Sequence, residues 1–317
     1  MSPREMVPAQ PNGAVKDGKP VRREPRPDHF PDDHFPDDHF PDDHCPDHHS
    51  LEHVARELHA RVAALLDEKD ADTTLRRVQE QVRLAMGVID AALDRYGIPE
   101  LSMAYNGGKD CLVLLVLILA CLPRHFVPSA SRPPASHAAE SSSAAAADSL
   151  PAFPASLQAV YVVSAAPFPE VDAFVAQSAR HYHLDVHAYA LPMKEALAAY
   201  LAEQGRAVRA VFVGTRRTDP HGALLTHFDP TDVDKGWPAF MRVHPVIDWH
   251  YAEIWAFLRH LGIPYCSLYD QGYTSLGGTT DTLPNPALRK PGGTDGDEFR
   301  PAYKLLADEE ERLGRNR

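Results

Sequence analysis

Cysteine is scarce in this chain of 317 residues: Cys45, Cys111, Cys121 and Cys266 stand alone, with no C-x-x-C pair and no zinc-like spacing. That usage excludes a disulfide scaffold and fits a reducing, cytoplasmic compartment. Long apolar runs are also missing. The longest, Cys111 to Leu122, falls short of the ~20 residues that a membrane-spanning helix needs, so no membrane partner is expected. No signal sequence opens the chain, and its Pro-rich, partly acidic start does not resemble an Arg-rich transit peptide. A basic excess is lacking as well, since the formal net charge is −12. Eight aspartates between residues 28 and 49, with no Lys or Arg among them, carry −8 of that and leave −4 for the rest. A nucleic-acid surface is therefore not expected, whereas a local basic pocket for a phosphorylated small molecule is compatible with so mild a balance.

Two stretches lack the apolar content to offset chain entropy. The first is residues 1–50, where "DDHFP" repeats from Asp32 and decays into "DDHCPDHH". Its short period and proline content predict an extended disordered tail, with weak metal or proton buffering by its six histidines as the alternative. The second is the Pro/Ser/Ala-rich stretch at about 123–157, expected to be a disordered insertion. One folded domain over 51–317 remains.

Within it, Leu51, Val54, Leu58, Val62 and Leu65 recur at helical spacing, as do Leu75, Val78, Val82, Met86, Ile89 and Leu93. Two amphipathic helices are predicted, the second stopping at Gly97. Short apolar segments then alternate with helical ones: strands at 101–105, 158–163, 184–190 and 209–213, helices at 109–122, 170–182 and 193–204. Such alternation predicts an α/β fold, a Rossmann-like parallel sheet flanked by helices. The chain adds an N-terminal helical extension, a helix over 249–261 capped by Asp248, and a charged C-terminal helix from "AYKLLADEEERLGR".

In an open α/β sheet, ligands gather at the carboxyl ends of the strands. There lie Tyr105, Asn106, Gly107, Gly108, Lys109 and Asp110, "YNGGKD", and the segment "GTRRTDP" from Gly214 to Pro220. Paired glycines let main-chain N–H groups approach an anion closely at a helix start. An aspartate beside phosphates makes sense when Mg²⁺ mediates, because that ion favours one or two carboxylates plus phosphate oxygens. The glycine spacing is not that of a Walker loop or a dinucleotide fingerprint. For Asp219 an ordinary Asp-Pro turn is the plain alternative, and for Cys111 a small core residue is the preferred reading.

"YNGGKDC", "PFPE", "GTRRTDP", "TDVDKGWPAFMR", "GYTSLGG" and "RPAYKLLADEEERLGR", in that order, resemble the eukaryotic-type FAD synthases of the phosphoadenylyl-sulfate reductase-like superfamily. The resemblance implies FMN adenylyltransfer: FMN and ATP as substrates, Mg²⁺ as cofactor, and a cytoplasmic monomer. It further implies that Tyr105 to Asp110, Gly214 and Arg216 bind ATP, that Asp110 positions the metal, and that Asp219 is the essential acid. Asp232, or Asp234 in its place, would face the flavin ring beside Trp237, while Arg312 and Arg315 would bind phosphate. Asn106, Asp110, Asp219, Arg312 and Arg315 are thus the candidate catalytic set. Asn106 and Cys111 replace the serines of the wider Ser-Gly-Gly-x-Asp-Ser pattern, in agreement with the FAD synthase branch.

Two rivals share the loop. A phosphoadenylyl-sulfate reductase needs a nucleophilic thiol near its C-terminus, but the last cysteine here is Cys266 and Gly278 stands where reductases usually carry one. A tRNA-modifying enzyme would want a basic surface or a zinc site, and both are missing. A metal-buffering scaffold built on the tail is the reading from outside enzymology. Deleting residues 1–50 separates it from the enzyme: the turnover of purified protein is expected to stay essentially unchanged, and its loss would favour the scaffold.

Overall fold

Ser50 and Asp72 start the first two helices, their side chains accepting the backbone N–H of His53 and of Leu75 three residues on. Helix α1 (Leu51–Asp67) and helix α2 (Thr73–Arg95) bury the predicted stripes, Leu51 to Leu65 and Val78 to Ala92. The computed structural model describes residues 50–127, 150–203, 207–290 and 298–315. The tail expected over 1–50 lies outside them except for Ser50, and so does most of the expected insertion.

After α2 come β1 (Leu101–Ala104), α3 (Lys109–Cys121), β2 (Leu157–Val162), α4 (Pro169–His181), β3 (Leu184–Tyr189), α5 (Met193–Glu203), β4 (Ala210–Phe212), β5 (Phe228–Pro230), β6 (Met241–Val243) and α6 (Tyr251–His260). The strands form a six-stranded sheet in the order β3-β2-β1-β4-β6-β5. All neighbours are parallel except the edge pair β5–β6, which is antiparallel. The predicted sheet is thus present but mixed. Strands β5 and β6 escape the sequence pattern because three residues each are too few to show a period of two.

Alternation along the strands divides the two faces. Ala159, Tyr161, Ala210 and Phe212 join the core formed with α1, α2, α3, α4 and α6. Val160 and Val211 point the other way, to Leu197 and Tyr200 of α5. Helix α3 sits centrally, with every residue from Leu112 to Cys121 buried. At about 1.5–3 kcal/mol per fully buried large apolar side chain, this helix is a main source of the burial that holds the sheet and the N-terminal helices together.

Two expectations are corrected. Helix α6 begins at Tyr251, not Trp249, because Asp248 is engaged instead by Arg217, whose Nε lies 2.6 Å from Oδ1. The Tyr251 N–H donates to Asp308 Oδ1 at 2.6 Å, so the cap comes from the far end of the chain. That closing segment, predicted as one charged helix, forms two single 3-10 turns, Ala302–Lys304 and Asp308–Glu310. Its side chains are spent on contacts with other elements, and those contacts set its path.

The Pro/Ser/Ala stretch leaves and returns through a neck. The Val127 N–H donates to Pro151 O at 3.0 Å, Val127 bridges to Ala152, and the Phe126 and Phe153 rings stand 5.6 Å apart. These contacts are complete without residues 128–149. Replacing that span with a short Gly/Ser bridge is expected to leave the thermal midpoint and the turnover essentially unchanged; a large fall in the midpoint would show that the span stabilises the fold.

Candidate active site

The chain passes from β1 through α3 to β2 on one side and reaches β4 on the other, so the carboxyl ends of β1 and β4 open onto one crevice. Residues 105–108 line it from β1. Gly107 has φ +71°, and a Cβ there would lie 2.9 Å from Val175 Cγ2, so both conformation and space demand glycine. Asn106 Oδ1 accepts the Gly108 N–H at 3.0 Å and fixes the turn. From β4, Gly214 packs so closely on the start of α3 that a Cβ would stand 2.9 Å from Cys111 N.

Predicted Tyr105 and Lys109 point inward. Tyr105 is buried, its hydroxyl donating to Ser178 Oγ at 2.8 Å, which leaves only its main chain for a ligand. Lys109 Nζ donates to Asp110 Oδ2 at 3.0 Å and to Glu311 Oε1, and lies 5.0 Å from the Tyr251 ring centroid. Its side chain is 2% exposed. The Lys109 N–H donates to Tyr269 OH at 2.9 Å. Lys109 is thus a buried cation paired with carboxylates and does not reach out toward phosphate.

Arg216 is the second buried cation, at 0% exposure. Its Nη2 donates to Glu311 Oε2, its Nε stands 2.8 Å from Asp110 Oδ1, and its Nη1 lies 3.6 Å from Asp308 Oδ1. Asp219 turns back to accept the Arg216 N–H at 2.8 Å. The 2.8 Å contact is an ion pair without hydrogen-bond aim: Asp110 Oδ1 and Arg216 Nε and Nη1 are buried with no hydrogen bond. Four carboxylates therefore face two cations, and Asp110 Oδ1, though 2.8 Å from Arg216 Nε, accepts no hydrogen bond.

Burial and charge push the two aspartates apart. Burial alone would raise Asp110, but Arg216 and Lys109 override it and hold the carboxyl below the usual range. Asp219 is raised, by burial first and then by the Asp110 charge. Burial likewise pushes the Cys111 thiol up to about 12, which agrees with an inert packing residue.

Of the remaining candidates, Arg315 is half-buried, with Nη2 donating to Asp281 Oδ2 at 3.0 Å. Its guanidinium lies against Gly277, where a Cβ would meet Nη1 at 2.3 Å, and the adjoining Gly278 abuts Ser164 beyond β2. Arg312 is exposed. Asp232 caps the turn Val233–Lys235 and pairs with Lys235 Nζ at 2.7 Å, while Trp237 lies beneath Lys194, 5.3 Å from its Nζ. Among the described residues no hydrogen bond or ion pair joins Asp232 or Trp237 to the buried charges. Sequence reasoning passed over Glu311, Asp308 and Tyr269. The available signal was a lysine and an arginine at one crevice, which need counter-charges from elsewhere if buried.

Comparison with known proteins places this geometry. The phosphoadenosine phosphosulfate reductase domain model matches residues 100–205 and 190–284. A "Probable FAD synthase" of Schizosaccharomyces pombe is 40% identical over 75% of this chain and 80% of its own length. One from Caenorhabditis elegans is 33% identical over 75% of this chain, which spans 40% of that longer protein. The FMN adenylyltransferase of Candida glabrata, solved with FAD and inorganic pyrophosphate, superposes with a TM-score of 0.73 at 26% identity, covering 84% of this chain and 99% of that one. The same enzyme is also solved with FMN and the ATP analogue AMPCPP. Sequence and architecture agree across nearly all of the described core, and the chain belongs to the FAD synthase family, on the phosphoadenosine phosphosulfate reductase domain.

Proposed function

We propose that this chain transfers the adenylyl group of ATP to the phosphate of FMN, giving FAD and pyrophosphate, in the crevice between β1 and β4. The observation that carries the reading is the glycine turn 106–108 at that crevice, with Asp110 held beside it between two buried cations. An FMN phosphate oxygen forms a bond to the α-phosphorus, the bond from that phosphorus to the bridging oxygen breaks, and pyrophosphate takes the electron pair. The nucleophile is already an anion, so orientation and charge neutralisation supply the catalysis without a strong base.

The residues fit a nucleotide-borne Mg²⁺. Asp110 offers an oxygen that no hydrogen bond uses, and the local carboxylates outnumber the cations. No cluster of three or more His, Cys, Asp or Glu among the described residues forms a cage of its own, so phosphate oxygens would complete the coordination. When bound, the ion neutralises charge developing on the transferred phosphoryl group. Main-chain N–H groups of the turn other than those of Gly108 and Lys109, which Asn106 Oδ1 and Tyr269 OH already engage, orient the triphosphate, and Arg315 and Arg312 stand as the cations for the reacting phosphates. Asp232 and Trp237 serve the flavin end.

Cys111, Cys121 and Cys266 are free thiols, in keeping with a cytoplasmic setting. No helix among the described residues is long and apolar enough to cross a membrane. Among the described residues the cysteines are poor nucleophiles for the reductase reading: Cys266 is 1% exposed, and burial pushes the Cys111 and Cys121 thiols up to about 12.

Asp110→Ala is expected to lower FAD formation by about 100-fold or more, and to lower the thermal midpoint because Lys109 and Arg216 each lose a buried partner. The assay incubates FMN and MgATP labelled at the α-phosphate and follows label into the dinucleotide; full speed in the variant would refute the proposed site. Asp219→Asn tests the second carboxylate. Its raised folded pKa means that ionisation of Asp219 opposes folding, a cost present above that pKa and absent once the group is protonated. The Asn variant should therefore melt above the parent at pH 7, with the gap closing as pH falls through the carboxylate range, yet turn over at about one hundredth of the rate. A lower midpoint at pH 7 would contradict this account.

A further inference from the structure

Glu311 is assigned no role by the reaction just described, yet it is among the most completely engaged carboxylates of the site. One oxygen accepts from Lys109 Nζ and the other from Arg216 Nη2. Those same cations hold the two oxygens of Asp110, Lys109 on Oδ2 at 3.0 Å and Arg216 on Oδ1 at 2.8 Å. The four side chains close a ring of alternating charge, Asp110–Lys109–Glu311–Arg216, with Glu311 diagonally opposite the carboxylate that faces the nucleotide.

Glu311 is itself held by buried neutral groups. Thr274 Oγ1 donates to Glu311 O at 2.6 Å, and Asn285 Nδ2 donates to Thr274 Oγ1 at 2.8 Å and to Glu310 O at 2.7 Å. Thr274 is 1% exposed, Asn285 0% and Glu311 5%. A buried ion network contributes little net stability for its desolvation cost, but it fixes geometry. Here the fixed object is Asp110. Both cations already touch Asp110, and without Glu311 each would draw closer to it, Arg216 onto the Oδ1 that now accepts no hydrogen bond.

We propose that Glu311 is a positioning residue for adenylyl transfer: by sharing Lys109 and Arg216 it keeps Arg216 from closing a hydrogen bond on Asp110 Oδ1, the oxygen offered to the nucleotide-bound divalent ion. The inference rests on the FAD synthase reading of the site. It follows that the two cations are there to orient Asp110, and that the closing segment completes the metal site without touching the metal.

Glu311→Gln keeps the shape but must turn an NH₂ toward one of two donors, which opens the ring on that side. Glu311→Asp keeps the charge but is one methylene shorter and cannot span both cations. For the full chain and each variant, three quantities are measured: kcat and KM for FMN and MgATP, Mn²⁺ affinity by electron paramagnetic resonance with a non-hydrolysable ATP analogue, and the thermal midpoint. In both variants kcat and Mn²⁺ affinity should each fall by about 10–100-fold, as for residues that orient a metal ligand, with KM for FMN little changed. If Glu311→Gln does not fold, Glu311→Asp carries the same test. Parent-like kcat and Mn²⁺ affinity in a folded variant would overturn the proposal, as would a loss of kcat with unchanged Mn²⁺ affinity. So would a rise in rate or in ATP affinity, which would mark Glu311 as a competitor of phosphate. A parent chain that makes no FAD would instead reject the functional reading itself.

Discussion

Two cations without access to water, Lys109 and Arg216, set the terms for the rest of this site. A buried unpaired charge costs several kcal/mol, so each must find carboxylates, and the fold must deliver them from distant parts of the chain. Asp110 arrives on the first turn of α3, Asp219 from the loop after β4, and Asp308 and Glu311 from the closing segment. The path of that segment follows from this demand: Asp308 also caps α6, and the segment turns in 3-10 steps because its carboxylates must face inward at separate points.

The inward turn of the lysine changes how such a loop handles phosphate. In a loop read only as glycine, glycine, lysine, the ammonium would be taken as the phosphate ligand. Here its pKa stands above the usual lysine range, because Asp110 and Glu311 outweigh the opposing effect of burial, and its charge is spent on orientation. On the proposed reading the anion-facing work falls to the remaining peptide N–H groups of the glycine turn and to the arginines near the chain's end. Fixed dipoles suit that task, since they need not reorganise as charge moves from the attacking to the leaving oxygen.

The α/β class, the N-terminal helical pair and the position of the phosphate turn were all legible in the sequence. Each is written locally: a stripe such as Leu51, Val54 and Leu58, or two glycines between a strand and a helix, signals itself within one or two turns. Strands β5 and β6 were not legible, being three residues each and placed by pairing with β4. The role of "DEEER" was hidden for a different reason. Its spacing of charges is that of a solvated helix, and nothing within the segment says that Glu311 meets a lysine 202 positions earlier. Family resemblance points to Arg312 and Arg315 there; the structure pairs Arg315 with Asp281 and adds the acids Asp308 and Glu311.

That separation has a physical consequence for how the site forms. Contacts between residues so far apart are rewarded only after the intervening chain has been ordered, and the closure cost grows with the span. The glycine turn, by contrast, needs only β1, α3 and Gly214. A chain with its sheet formed but its closing segment undocked would hold the glycine turn with two cations lacking Glu311 and Asp308, leaving Asp110 and Asp219 as their carboxylates. On the proposed reading Arg216 would then close on Asp110 Oδ1, and competence for chemistry would arise with the last long-range contact and not with the sheet. The buried Thr274–Asn285 network gives that contact its fixed geometry, and on the proposed reading it belongs to the active site as much as the glycine turn does.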